Sequence, residues 1–487
     1  MSKSDQSHVT LPAAGLTRDE VFGRMAAVRD KDTRWRDGRT FSLVFYAGEE
    51  MLSILKEAYT MFFSENGLNP GAFPSLKKFE SEVLCMTAGL LGGDANTAGN
   101  MTSGGTESIL MAVKTARQKF RVERPDITEP EILVPVSAHP AFDKAGHYFD
   151  VKIRHIPIGE DYRADVAATR AAVSERTIMI VGSAPQYPQG VVDPIRELAD
   201  IATSHGILMH VDACVGGMML PFVRRLGYPV PDFDFRIPGV TSMSVDLHKY
   251  GYAAKGASCV LYRDKDLRRH QYFVYTEWPG GIYASPSIAG TRPGGAIAAA
   301  WAIMNYLGEE GYLNITRTVM DTTRYIAEAV REMHGVKILG APHMSVLCLA
   351  ADDPSLDIYA VGDEMSVRGW HLDRQQYPAS LHLTINWAHS QSCEQFITDL
   401  RDSITKARRF SLNKLNASMG ALAGSALGVL PESVASGLTR LFSKFGGGGL
   451  PKRSAAMYGM MGNLPNRGDL QDVVKDLLDK FTDAAKR

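Results

Sequence analysis

Cysteine is scarce in this chain: Cys85, Cys214, Cys259, Cys348 and Cys393 are the only five in 487 residues, and no two form a C-x-x-C pair. Such usage excludes a disulfide framework and a zinc-ligand set, and it fits reduced thiols in a cytoplasmic protein without a metal. Charge of one sign is missing as well, since 53 Lys and Arg stand against 54 Asp and Glu, a net charge of −1. No long-range field draws the chain toward nucleic acid or anionic lipid, so any anionic ligand has to be held by local groups. Long apolar runs are also absent. The most lipid-like stretch, Ala417 to Leu430, is diluted by Gly and Ser and falls short of the roughly 20 residues a spanning helix needs. The first residues, MSKSDQSHVTLPAAGLTRDE, lack the basic start and apolar centre of a secretory signal. A soluble chain is the expectation, with contact to a membrane surface left open.

What is present reads as an α/β protein. Hydrophobic residues make up 45% and charged residues 22%, an ordinary globular balance. The length suits two or three domains of roughly 100 to 200 residues each. Apolar runs EILVPVSA, KIRHIPI, TIMIVGSAP, GILMHVDA, TSMSVDL and ASCVLYRD alternate with helical patterns. Short Val- and Ile-rich runs of this kind predict strands of a sheet covered by helices on both faces. We place a large domain over 96–310, an N-terminal segment over 1–95, and a smaller C-terminal α+β domain over 311–487, where MSVLCLA and LHLTI alternate with helix. Within the last, residues 412–452 are rich in Ala, Gly and Ser. They suit a loosely packed insertion with a flexible linker better than a membrane-surface helix.

The segment GGTESILMAVKTARQKF after Ser103 predicts a helix burying Ile109, Val113, Ala116 and Phe120, with Glu107 in its first turn as the macrodipole prefers. Its Ser103-Gly104-Gly105-Thr106 start offers free backbone N–H groups and a hydroxyl to an anion. Asp212 closes the run GILMHVDA, and His139 follows EILVPVSA. Lys249 lies in SVDLHKYGYAAKG, where an apolar strand meets a Gly-containing turn, directly after His248. Each of these alone is read more simply as a capping residue, a core histidine or a surface lysine. In this order along one α/β domain they supply what pyridoxal phosphate requires. A lysine attacks the aldehyde, a carboxylate pairs with the ring nitrogen, an imidazole stacks on the ring, and a helix start takes the phosphate.

The segments NGLNPGAFPSLKKFE, TSGGTESILMA, SAHPAFDKA, SAPQYPQGVVDPI, HVDACVGG, DLHKYGYAAKGAS, GGIYASPSIAGTRPGG and AAMYGMMG span residues 66 to 462. Together they resemble the sphingosine-1-phosphate lyases, a branch of the pyridoxal-phosphate-dependent group II decarboxylase family. The resemblance implies fold type I, the aspartate-aminotransferase fold, with a mixed, mostly parallel seven-stranded sheet and active sites shared across a homodimer. It implies that Lys249 holds the cofactor, Asp212 pairs with its ring nitrogen, His139 stacks on it, and Gly104, Gly105, Thr106 and His248 serve its phosphate. Tyr46, Tyr187 and Tyr458 are then expected on the substrate side, with Lys255 and Arg292 as partners of a substrate phosphate. The implied reaction is retro-aldol cleavage of a phosphorylated sphingoid base to a long-chain aldehyde and phosphoethanolamine. Lys249, Tyr187 and a substrate phosphate oxygen all remain open as the base. Arg292 has a second reading, an arginine that fixes the backbone beside Pro293 and Gly294. Two rivals stand beside the lyase: an amino-acid decarboxylase using the same cofactor, and a catalytically silent binding protein. Asn69 stands where this family is expected to carry a histidine, and Val245 and Leu247 where smaller or hydroxylated residues are expected, making the wall beside Lys249 more apolar.

Overall fold

The computed structural model describes residues 11–415 together with Ala455, Gln471, Val474, Lys475, Leu478 and Asp479. Each of the six apolar runs in the large domain forms a strand: β2 (Glu131–Pro135), β3 (Lys152–Ile156), β4 (Thr177–Ser183), β5 (Leu208–Asp212), β6 (Ser242–Asp246) and β7 (Ser258–Tyr262). A seventh, β1 (Ala98–Thr102), is Ala-Gly-Asn-Met-Thr and carries no Val or Ile to mark it. The order is β1-β7-β6-β5-β4-β2-β3. Only β7 opposes its neighbours β1 and β6; β2 to β6 run parallel. This is the α/β, mostly parallel seven-stranded sheet of fold type I.

Strands β4 to β7 are buried at every residue, as expected of a sheet covered on both faces, whereas β3 is an edge and exposes Lys152, Arg154 and His155. The predicted helix forms over Gly105–Glu123 and buries Ile109, Val113, Ala116 and Phe120. Register gathers chemistry along one edge of the sheet. Ser183 pairs with Asp212, Asp212 with Ser244, and Ser258 with both Asp246 and Thr102. Open parallel sheets present their ligand sites at these carboxyl ends.

Helix Gly294–Arg331 leads out of the large sheet and is kinked at Gly308, so the division expected after residue 310 falls inside it. Beyond it, β10 (Val336–Ile338), β11 (Val346–Ala351), β12 (Asp373–Gln375) and β13 (Ser380–Thr384) form an antiparallel sheet in the order β10-β11-β13-β12. A hairpin of β8 (Phe273–Tyr275) and β9 (Tyr283–Ser285) stands apart from both sheets. The loop after β4 reaches the small sheet at Gly190, where a Cβ would lie 2.4 Å from the Val346 carbonyl oxygen, so only glycine admits the approach. Among the described residues no helix is long and apolar enough to cross a membrane. The stretch 412–452 beyond Leu415, and Tyr458, lie outside the described residues.

Candidate active site

The helix Gly105–Glu123 opens with Gly104 as its N-cap, and no side chain caps it among the described residues. Its first backbone N–H groups therefore lack intrahelical acceptors and carry the positive end of the helix dipole. A Cβ at Gly105 would lie 2.8 Å from Cys214 Sγ and 2.9 Å from both carboxylate oxygens of Asp246, so the glycine admits a close approach of side chains to this helix end. Glu107 fixes the turn: its Oε2 accepts from Ser103 N (2.7 Å) and Ser103 Oγ (2.6 Å), and its Oε1 accepts from Ile288 N (2.9 Å). One carboxylate thus ties the helix start to the loop that leads to Arg292.

Asp246 was not singled out from the sequence, although it ends an apolar strand just as Asp212 does. It is buried, and its Oδ2 lies 2.8 Å from Lys249 Nζ. Burial disfavours both charges. The carboxylates and thiol around Lys249, Asp246 foremost, outweigh that burial and raise the ammonium above the ordinary lysine range. Lys249 and His248 in turn hold Asp246 below the ordinary carboxylate range despite its burial. Asp246 Oδ1 is buried without a hydrogen-bond partner among the described residues. Asp212, on the strand beside β6, uses Oδ1 to accept from Cys214 N (3.0 Å) and Ser244 Oγ (3.1 Å). His248 donates from Nδ1 to the Ala257 carbonyl at 2.7 Å, which turns Nε2 toward Asp246 at 3.8 Å. Burial pushes its imidazole down, and Asp246 opposes the shift. His139 is exposed, and its Nδ1 accepts from Ala141 N at 3.1 Å at the head of helix Ala141–Phe149.

These residues fit pyridoxal phosphate. The glycine-rich helix start suits a phosphate. Asp212 has one oxygen doubly engaged and the other to offer a ring N–H. Lys249 would supply the amine, and an unpartnered buried oxygen on Asp246 marks a polar position in the same cluster.

Lys255 is exposed, donates to the His248 carbonyl at 3.4 Å, and sets Nζ 5.6 Å from the Phe45 ring centre. Protein packed around its amine, followed by the charge of Lys249, pushes it down to about 8. Phe45 was missed in the sequence, having no signal beyond its place beside Tyr46. Tyr46 donates to Glu49 Oε1 at 2.8 Å. Tyr187 stacks on His382 with ring centres 3.8 Å apart and donates its hydroxyl proton to Asp373 Oδ2 at 2.8 Å. Burial and then the Asp373 charge raise this phenol. Asp373 is held down at about 2 although burial opposes its charge, because His371 and Tyr187 both donate to it. Arg292 forms an ion pair with Glu80, donates to the Gly67 carbonyl at 3.3 Å, and its backbone N–H donates to Asn66 Oδ1 at 3.0 Å. Its side chain is thus engaged in fixing the 66–67 turn.

The residues that depart from the family pattern have structural roles. Asn69 Oδ1 accepts from Gly71 N (3.0 Å) and Ala72 N (3.1 Å), closing the turn before helix Pro74–Leu90. Val245 and Leu247 are fully buried rather than facing an open wall, because they belong to the core behind β6.

The pyridoxal-dependent decarboxylase conserved domain matches residues 8–351. The chain is 42% identical to the sphingosine-1-phosphate lyase of Arabidopsis thaliana, over 99% of this chain and 82% of that protein. It is likewise 42% identical to sphingosine-1-phosphate lyase 1 of Rattus norvegicus, over 90% of this chain and 77% of that protein. The solved structure of a Burkholderia pseudomallei sphingosine-1-phosphate lyase superposes with a TM-score of 0.80 at 38% identity, covering 85% of this chain and 97% of that one. A domain match over most of the chain, relatives similar over most of their length, and a site built for the cofactor agree: the chain belongs to the sphingosine-1-phosphate lyase family of pyridoxal-phosphate-dependent enzymes.

Proposed function

We propose that this enzyme cleaves a phosphorylated sphingoid base of the sphingosine 1-phosphate type into a long-chain aldehyde and phosphoethanolamine. The observation that carries the reading is Lys255, a second cation that feels the charge of Lys249 and hangs from the same turn through the His248 carbonyl. A substrate with an amine at one end of a two-carbon unit and a phosphate at the other meets both. A phosphate monoester carries about two negative charges, and a chain with no net field must supply its partners locally.

Gly104, Gly105, Thr106 and His248 would hold the cofactor phosphate, Asp212 the ring nitrogen, His139 the ring face and Lys249 the aldehyde carbon. When bound, pyridoxal phosphate supplies an electron sink next to the bond that breaks. The substrate hydroxyl loses its proton to a base, its carbon becomes the aldehyde carbonyl, and the carbon–carbon electron pair passes to the amine-bearing carbon, which is then reprotonated. Tyr187 has committed its proton to Asp373 and is raised. It therefore serves as a fixed phenol, leaving the substrate phosphate, or Lys249 once its amine is neutral, as the proton acceptor. Tyr46, Tyr458 and Arg292 complete the substrate side in this reading.

A cytoplasmic homodimer with shared sites is part of the proposal. Its support is the exposed apolar hairpin, with Phe273, Val274, Tyr275, Trp278 and Ile282 outward, joined to the site through the Ile288–Glu107 hydrogen bond. Assay of the purified protein with a sphingoid-base phosphate should release fatty aldehyde, and sedimentation should return twice the chain mass. Carbon dioxide release from an amino acid, without aldehyde, would overturn the proposal in favour of a decarboxylase.

A further inference from the structure

Behind Asp212 a chain of buried polar side chains runs along one face of the sheet. His210, fully buried, lies between two serines of the adjacent strand: Nδ1 is 2.9 Å from Ser242 Oγ and Nε2 is 3.2 Å from Ser244 Oγ. Ser244 in turn lies 3.1 Å from Asp212 Oδ1. The parallel register of β5 and β6, His210 against Ser242 and Asp212 against Ser244, sets these contacts. A period of two along each strand puts all four side chains on one face.

The direction of the hydrogen bonds follows from what each group is able to do. Asp212 accepts only, so the one Ser244 proton goes to it, in preference to the neighbouring Cys214 sulfur, a weak acceptor. Ser244 then accepts from His210, which places the imidazole proton on Nε2 and leaves Nδ1 to accept from Ser242. Burial pushes this imidazole down to about 4, so it is neutral and holds one tautomer.

We propose that Ser244 and His210 are positioning residues for the cofactor ring: they pin Asp212 Oδ1 and polarise it, leaving Oδ2 aimed at the pyridine nitrogen. A hydrogen bond into a carboxylate weakens that carboxylate's hold on a shared proton, so the proton stays on the ring nitrogen and the ring stays an electron sink. Hydrogen bonds in series in a low-dielectric interior strengthen one another, so His210 acts through Ser244. This rests on the reading that pyridoxal phosphate binds with its ring nitrogen against Asp212.

The test is ¹⁵N NMR of the protein loaded with cofactor labelled at the ring nitrogen. Ser244→Ala should move the bound resonance downfield, toward the deprotonated pyridine position, and Ser244→Thr, which keeps the hydroxyl, should restore it. His210→Leu should shift it the same way by less, and His210→Gln, which keeps an N–H near the Nε2 position, should hold it near wild type. An unmoved resonance in Ser244→Ala overturns the inference, as does a shift that Thr fails to restore. Circular dichroism checks folding. Should Ser244→Ala not fold, the His210 pair carries the test instead: a downfield shift in His210→Leu that His210→Gln reverses supports the inference, and an unmoved or unreversed resonance overturns it. Wild-type protein that shows no bound resonance at all would instead fail the cofactor reading.

Discussion

Lys249 Nζ rests 2.8 Å from Asp246 Oδ2, in a pocket shared with Cys214 and the start of helix Gly105–Glu123. The pair keeps the amine protonated, and only the neutral amine attacks an aldehyde. Asp246→Asn should therefore speed the reaction of cofactor-free protein with unphosphorylated pyridoxal at neutral pH, by about tenfold for each pKa unit the pair supplies. Absorbance at the wavelength of the lysine adduct follows it, and Lys249→Ala should show no adduct. Equal rates in wild type and Asp246→Asn would refute the role given to the ion pair.

Lys255 is pushed down to about 8 by the protein packed around it and by the charge of Lys249. It is cationic below that pH and loses its charge as pH rises through it, so affinity for a phosphorylated substrate should fall on the alkaline side. Lys255→Ala should raise KM at pH 7 and leave cofactor absorption intact. Its KM should also lose the alkaline dependence; a variant that lost the cofactor as well would move Lys255 from the substrate side to the cofactor side.

Tyr187 is aimed by a carboxylate on β12 of the small sheet. Asp373→Asn removes the strong acceptor that orients the phenol and should lower kcat by about tenfold, a loss of roughly 1.4 kcal/mol in transition-state stabilisation. The thermal midpoint should move little, since Asp373 is about one-third exposed. Tyr187→Phe should be at least as deleterious, and the double variant no worse than Tyr187→Phe alone. Additive losses would show that the two act separately.

Glu80 and Arg292 form an ion pair with 14% and 12% of their side chains exposed. Removing one partner of such a pair leaves a buried charge and costs about 3 kcal/mol or more. Glu80→Ala should lower unfolding stability by that amount in denaturant titration, because Glu80 also accepts from Met101 N at 2.9 Å. Arg292→Lys separates the two readings of the arginine. A fall in stability with KM unchanged favours backbone fixing, whereas a rise in KM for phosphorylated substrate favours a contact with substrate.

The sheet, and the gathering of Asp212, Lys249 and the Gly104-Gly105 helix start near its carboxyl ends, were legible in the chain because the signals are local. An apolar run that ends in Asp, as in GILMHVDA, announces both a buried strand and a carboxylate at its carboxyl end. A Gly-Gly start announces a helix with free N–H groups. Asp246 obeys the same rule as Asp212, but the lysine three residues on is the stronger signal and masks it. Asp373 and Glu80 had no such signal. Their partners lie 186 and 212 residues away, and only tertiary structure joins them. Strand β1 was hidden for a different reason, its composition being set by close packing against β7 rather than by β-propensity. Val245 and Leu247 were placed on a wall that the fold turns inward.

The reversal of β7 against β6 has a consequence for substrate length. Because β7 runs back toward the edge that β6 has just left, the chain between Asp246 and Ser258 is a short return, and both Lys249 and Lys255 are carried on it. In the proposed reading, the span from amine to phosphate in the substrate would be gauged by this one loop, whose two feet are pinned in the sheet. In that reading the lipid tail, which neither lysine is assigned to hold, would be free to vary in length without disturbing that gauge.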